Sequence, residues 1–377
     1  MTLSIFRSLF RSLYRSLARA TLSSLLAVSV SASLGLSLNI SAAHAQTAKP
    51  VPAPVKLRIG YQKSSTLITI LKARGSLEQA LAPLGVTITW NEFASGLPLT
   101  EALNADAVDF SADVADTVPV FAQAAHASFV YVAQEAPSPG AQAIIVKRDG
   151  PLHTLADLKG QRIAVTKAAG SHYLLLAALA KGGLTPADVR ISYLTPADGR
   201  AAFERGSVDA WITWDPYVAS VDKAPDVRIL ANGEGLASYQ RYYLASTSFA
   251  AAHPDVIGTV FAQLTATGDW VRAHPADAAQ LLAPIWGLDA ATIERANARR
   301  SYAVRAVEPQ NFGEQQKIAD TFYRAGLLPA PVDTASALRW NFSAKRAASA
   351  SVATSTATST AKSTAKSTAK STTASTD

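Results

Sequence analysis

The sequence predicts an α/β protein of two lobes with a helical C-terminal part, on three observations. Short β-branched runs alternate with longer helical stretches over residues 56–244, the pattern of largely parallel sheets joined by crossover helices. Beyond Ser248 strands nearly vanish and helix follows helix. Two stretches rich in turn formers and without periodic apolar residues, Pro137-Ser138-Pro139-Gly140 and 232–239, interrupt the alternation. Chain crossings between two compact halves should look like this.

The ends must be set aside first. Arg7, Arg11, Arg15 and Arg19 punctuate a segment with no acidic residue, an apolar run covers 21–40, and Ala43-His44-Ala45 follows. This is a secretory signal over 1–45, cleaved before Gln46. An apolar run of that length could also span a bilayer, but serines dilute it and it ends at a processing site. The chain has no cysteine, so thiol catalysis, thiolate metal sites and a lipid-modified N-terminal cysteine are excluded, and an oxidising compartment is suited. Residues 343–377 collapse into Ser, Thr, Ala and Lys, with Ser-Thr-Ala-Lys repeats ending at Lys362, Lys366 and Lys370. Such a tail buries too little apolar surface to order itself; a weak tether to acidic envelope polymers is the functional alternative.

Together the two ends account for the whole formal excess of +7, so the basic balance is no argument for nucleic-acid binding. The remainder is long enough for one large or two medium cores. The expected division is a first lobe over 46–138, a second lobe over 139–238, and a return to the first lobe with the C-terminal helices over 239–342.

Strands are expected at 57–61, 86–93, 108–112 and 129–133, then at 143–147, 162–166, 189–193 and 208–214, and on the return at 242–245. Helices fit between them at 66–84, 98–105, 118–125, 155–158, 172–181, 197–205 and 216–221. Gly182-Gly183 closes the helix from His172, because glycine adopts the left-handed conformation there without strain. The all-helical part is expected at 254–273, 275–282, 290–299, 310–325 and 334–340.

In open α/β sheets ligands meet the carboxyl ends of strands, where helix starts present unpaired N–H groups. The junctions read Gln62-Lys63-Ser64-Ser65-Thr66, Ala94-Ser95-Gly96-Leu97-Pro98, Asp113-Val114-Ala115-Asp116-Thr117, Lys167-Ala168-Ala169-Gly170-Ser171-His172-Tyr173 and Trp214-Asp215-Pro216. Four of the five place hydroxyls near a helix start, a donor set suited to an anion. Ser and Thr are also ordinary N-caps, and Asp215-Pro216 is equally a plain helix start. Trp211 and Trp214 point to opposite faces of one strand, which leaves Trp214 to reach the cleft. One of Tyr242 and Tyr243 should face it as well. Lys63 and Lys167 either supply charge or sit in solvent. No nucleophile elbow, phosphate loop or zinc helix is present, and His126, His153, His172, His253 and His274 are too scattered for a metal site. Of these only His172 lies at a junction.

The core resembles the aliphatic sulfonate-binding proteins of bacterial ABC importers from Leu57 to about Pro329. The residues that carry the likeness are Leu57-Arg58-Ile59-Gly60-Tyr61-Gln62-Lys63, the run Leu71 to Glu78, Pro119 to Ala125, Leu155 to Gly160, and above all Arg200 to Pro216. The resemblance implies the type 2 periplasmic-binding fold, its helical C-terminal part packed on the first lobe and its two lobes closing on a sulfonate. It also implies a periplasmic, monomeric, non-catalytic protein without cofactor that serves an inner-membrane ABC permease. The expected ligand set is Lys63, Ser64, Ser65, Ser95, Gly96, Asp116, Thr117, Gly170, Ser171, His172, Trp214, Asp215 and Tyr242. One departure matters: Ala112 to Pro119 is one residue longer than the family's turn and lacks its glycine. Asp113 and Asp116 would bring negative charge to the site, which admits a taurine-like zwitterion. Rival readings are a carrier of nitrate, a thiamine precursor or an aromatic anion, and an enzyme on the same fold.

Overall fold

The structure is a computed structural model in which residues 54–341 are described; the expected signal segment and C-terminal tail lie outside them. Two five-stranded sheets organise the chain. The first contains β1 (Val55–Gln62), β2 (Val86–Phe93), β3 (Phe110–Ala115), β4 (Phe129–Glu135) and β10 (Arg241–Ser246), in the order β2-β1-β3-β10-β4. The second contains β5 (Gln142–Lys147), β6 (Arg162–Val165), β7 (Arg190–Tyr193), β8 (Ala210–Trp214) and β9 (Val227–Asn232), in the order β7-β6-β8-β5-β9.

In each sheet, one strand reached by crossing from the other half runs against its neighbours. β1 is parallel to β2 and β3, whereas β10 inserts antiparallel between β3 and β4. β6 is parallel to β7 and β8, whereas β5 is antiparallel to β8 and β9. The cleft end of β10 is therefore its beginning, a fact that decides which tyrosine meets the cleft. β3, β4, β8 and β10 are buried along their whole length, as strands covered on both faces must be.

Helices α1 (Thr66–Arg74), α2 (Ser76–Leu81), α3 (Gly96–Asn104) and α4 (Thr117–Ala124) serve the first sheet, and α5 (Gly170–Lys181) and α6 (Pro196–Glu204) the second. The helix expected over 66–84 is broken at Gly75, whose φ of 61° places it in the left-handed region, so it closes one helix and opens the next. After α7 (Thr247–Ala252) come α8 (Pro254–Ala273), α9 (Pro275–Trp286) and α10 (Ala290–Ala298). Ile257, Val260, Leu264, Leu282 and Ile293 from these helices join Leu57 and Ile59 of β1 in one core. Full burial of each such side chain stabilises the lobe by about 1.5–3 kcal/mol.

The last helix, α11 (Phe312–Arg324), packs on the first lobe, where Phe312 and Gln315 meet Tyr131 of β4, and reaches the second lobe as well. Its Ile318, Ala319 and Phe322 pack with Val120 of α4 and with Leu174 and Leu175 of α5, in the core of the second sheet. Two further differences are local. Residues 216–221 form turns rather than a helix, and 334–340 contain the short 3-10 turn Thr334–Ser336 and a β-bridge from Arg339 to Tyr131 in place of a helix. β9 escaped the sequence pattern because it is a half-exposed edge strand of mixed character.

Candidate anion-binding cleft

Helix starts differ in how their unpaired N–H groups are met. α4, α6, α7 and α10 carry a side-chain cap from Asp116, Thr195, Ser246 and Asp289. α2, α8, α9 and α11 place an acid in the first turn. Among the described α-helices only α1, α3 and α5 have neither. Their positive ends are left uncompensated; α3 and α5 begin at the gap between the lobes with Gly96 and Gly170, and α1 begins two residues after Ser64, which bonds Trp214 across it.

That gap is a cavity of about 10 Å³ whose lining includes Gln62, Gly96, Gly170, Trp214, Tyr239 and Arg241, with Ala115, Val118 and Ala169 as apolar wall. The lobes touch directly around it. Trp214 Nε1 donates to Ser64 Oγ at 3.1 Å, and Thr117 Oγ1 donates to the Ala168 carbonyl at 2.6 Å. Gly170 lies so close to Tyr239 that a Cβ there would stand 2.5 and 2.6 Å from two ring carbons. A side chain at this point of contact would require the Tyr239 ring or the lobes to shift.

Beneath the cavity lies a buried ionic quartet. Arg241 Nε is 2.6 Å from Asp113 Oδ2, and Arg300 Nη2 is 2.9 Å from the same oxygen and 2.8 Å from Glu135 Oε2. Tyr243 donates its hydroxyl to Glu135 Oε1 at 2.7 Å. Arg241 also donates Nη1 to the Tyr239 hydroxyl at 2.8 Å and Nη2 to the Asp113 carbonyl at 3.2 Å. Each terminal nitrogen carries two N–H groups, so one on each remains for a ligand. The two charges of each sign balance, which is how such groups tolerate burial.

Residues 84–278 match the family described as NMT1/THI5 like. An aliphatic sulfonates-binding protein of Escherichia coli (strain K12) is 39% identical over 282 residues, 74% of this chain and 88% of that one. The chain belongs to the aliphatic sulfonate-binding proteins. The alkanesulfonate-binding protein SsuA from Xanthomonas axonopodis pv. citri, solved bound to MOPS, matches with a TM-score of 0.72 and 40% identity, covering 77% of this chain and 99% of that one. The periplasmic aliphatic sulphonate binding protein SsuA from Escherichia coli matches at 0.69 and 38%, covering 76% and 98%. The fold is thus the periplasmic-binding-protein fold. A desulfurization enzyme, DszB, shares it at 17% identity and a TM-score of 0.56, so the fold alone does not separate binding from catalysis. Among the described residues no cluster of His, Cys, Asp or Glu could hold a metal ion, and no helix is long and apolar enough to cross a membrane.

On this family scaffold the residues singled out at the junctions fall into three groups. Gly96, Gly170 and Trp214 line the cavity, and Ser64 and Thr117 hold the lobes together across it. Ser65, Ser95 and Ser171 flank it. Ser65 Oγ accepts from the Gln62 amide at 3.2 Å, Ser95 leaves its helix uncapped, and Ser171 Oγ is buried with no protein partner.

The rest do other work. Lys63 is exposed and points to an outer groove with Tyr61, Lys72 and Glu92, while its neighbours Gln62 and Ser64 face inward. Asp116 is buried and accepts from the amides of Thr117 and Gln240, at 3.1 and 2.9 Å; it pins the returning crossover instead of facing ligand. Burial pushes its carboxyl up to about 7. His172 accepts the Ala168 amide at Nδ1 and packs against Tyr193 and Phe322; burial lowers it to about 4, so it stays neutral. Asp215 pairs with Arg299. Tyr242 lies in the core against Tyr131, and Tyr243 reaches Glu135, so neither meets the cleft.

Sequence reasoning missed Gln62, Tyr239, Arg241, Arg299 and Arg300. Arg241 left a signal: a lone charge opening the apolar run Arg241-Tyr242-Tyr243-Leu244. Such a residue, once buried, must be paired.

Proposed function

We propose that this chain is the periplasmic binding component of an ABC importer and captures alkanesulfonates by lobe closure. The observation that carries the reading is the meeting of the uncompensated starts of α3 and α5 with Arg241 at one interlobe point. A sulfonate is ionised at every physiological pH, so its site needs fixed donors and no proton chemistry. Amides at Gly96 and Gly170, the Ser64 hydroxyl and the remaining Arg241 N–H groups supply them, while Trp214 and Tyr239 cover the first carbons of the tail.

The cavity has room for about one water, far short of a sulfonate, so the lobes must part to admit one. Ligand that contacts both lobes then favours the closed form by its differential affinity for the two states. The signal segment, the monomeric state and delivery to an inner-membrane permease complete the proposal, and the sulfonate-binding relatives support a carrier over an enzyme.

The two aspartates of the long turn argue against a zwitterionic ligand. Asp113 is neutralised by two arginines on Oδ2 and Asp116 is held by backbone amides on both oxygens; Asp113 Oδ1 has no protein partner, but the arginines leave no net negative charge there for an ammonium. Titration of intrinsic fluorescence with ethanesulfonate, taurine, sulfate and nitrate tests the reading. Saturable quenching or enhancement by ethanesulfonate, with taurine much weaker, is expected; a response to nitrate or sulfate alone would overturn it.

A further inference from the structure

We infer that the adjacent residues Arg299 and Arg300 are positioning residues that grip opposite sides of the cleft and set Trp214 against Ser64. The inference rests on the anion-binding reading above and extends it to residues that touch no ligand.

Both arginines follow α10, which belongs to the first lobe through the fully buried Ile293. Arg299 nevertheless reaches the second lobe. Its Nε and Nη2 donate to the two oxygens of Asp215, both at 2.7 Å, and Nη1 donates to Asp222 at 3.0 Å. Arg295, one turn earlier, donates to the Ala219 carbonyl at 3.1 Å. The fork geometry is the one a guanidinium offers a carboxylate and an ammonium cannot. Asp215 is nearly enclosed, with 2% of its side chain exposed against 25% for Arg299, so the pair is only partly screened by solvent.

Arg300 turns the other way. Its Nη1 donates to the Ser64 carbonyl at 3.3 Å, and Nη2 binds Asp113 and Glu135 of the first lobe. Ser64 Oγ in turn accepts from Trp214, the neighbour of Asp215. A closed loop results: Arg299 to Asp215, along the chain to Trp214, across the cleft to Ser64, and back through Arg300. The peptide between the two arginines joins the ends. Separating Trp214 from Ser64 therefore pulls against the Arg299 fork, and the fork returns Trp214 to its place over the head group when the lobes close.

Arg299→Gln tests this in full-length mature protein with ethanesulfonate, by stopped-flow fluorescence. Dissociation is expected to quicken about tenfold or more, since losing one partner of a shielded pair acts on the off-rate. Association should change little. Arg299→Lys, which keeps the charge and loses the fork, should fall between. Asp215→Asn should have the same effect as Arg299→Gln, and the double variant should be no worse than either; a purely structural role would instead lower the thermal midpoint without quickening dissociation. A wild-type off-rate in Arg299→Gln, or additive effects, overturns the inference. If wild-type protein binds none of the sulfonates, the function reading fails on its own. The positioning claim is then decided by small-angle scattering: an expanded Arg299→Gln supports it, and an unchanged radius of gyration overturns it.

Discussion

Gly170→Ala is the sharpest perturbation of the closed state. A Cβ at this position would lie 2.5 and 2.6 Å from ring carbons of Tyr239 and 3.2 Å from the Ala115 Cβ. Carbon atoms in contact prefer about 3.5–4.0 Å, so roughly 1 Å of separation must be found between the lobes. Tyr239 cannot easily give it, because its ring is 2% exposed and its hydroxyl is held by Arg241. Overpacking of this size costs about 1–3 kcal/mol. The cost falls on the closed form alone, since Gly170 belongs to the second lobe and Tyr239 and Ala115 to the first. A coupling of about 1–3 kcal/mol weakens binding about 5- to 150-fold. Calorimetric titration with ethanesulfonate reads this directly, while the Gly170 amide remains available in the variant. In a Tyr239→Ala background the added methyl should cause little further loss, as its obstacle is gone. Wild-type affinity for Gly170→Ala would refute the reasoning that these surfaces meet on closure.

Two more outcomes follow from the same geometry. Trp214→Phe keeps an aromatic wall but loses the N–H that Ser64 accepts, so binding should weaken by about 0.5–1.5 kcal/mol; unchanged dissociation constants would remove the indole from the site. Asp116 has a folded pKa of about 7 against an ordinary 3.8, with burial as the main cause and the Gln240 and Thr117 amides opposing it. Between those values the folded chain holds a proton that the unfolded chain has lost, so this contribution to stability is greatest below pH 4 and declines as pH rises towards 7. Thermal midpoints of wild type and Asp116→Asn from pH 4 to 8 check the sign: the wild type should lose ground to the variant as pH rises, and a constant difference would contradict it.

The junction rule made much of the site legible, because parallel strands must deliver their carboxyl ends and the next helix starts to one edge. Gly96, Gly170 and Trp214 could be named from local sequence for that reason. The rule fails where a strand runs backwards. β10 is antiparallel to β3, with Arg241 opposite Ala115, so the cleft is met by Tyr239 and Arg241 at its start and not by Tyr242 further along. Which residues enter a sheet from the other lobe is settled by tertiary packing, and no local periodicity records it. Charge was misread for the same reason. Lys63 is a cation beside the site in sequence but outside it in space, whereas Arg241, Arg299 and Arg300 arrive from distant segments. Asp113 and Asp116 suggested a negative site only because their partners were out of view. The split of the first long helix was carried by a single Gly75, which a continuous apolar pattern concealed.

A crystal structure with 2-bromoethanesulfonate tests the central claim most directly, since the bromine marks the tail by anomalous scattering and the head group is fixed by its neighbour. The account predicts sulfonate oxygens within hydrogen-bonding distance of the Gly96 and Gly170 amides and of Arg241, with the bromine against Trp214 or Tyr239. A ligand seated instead in the outer groove beside Lys63 and Lys72 would contradict the account.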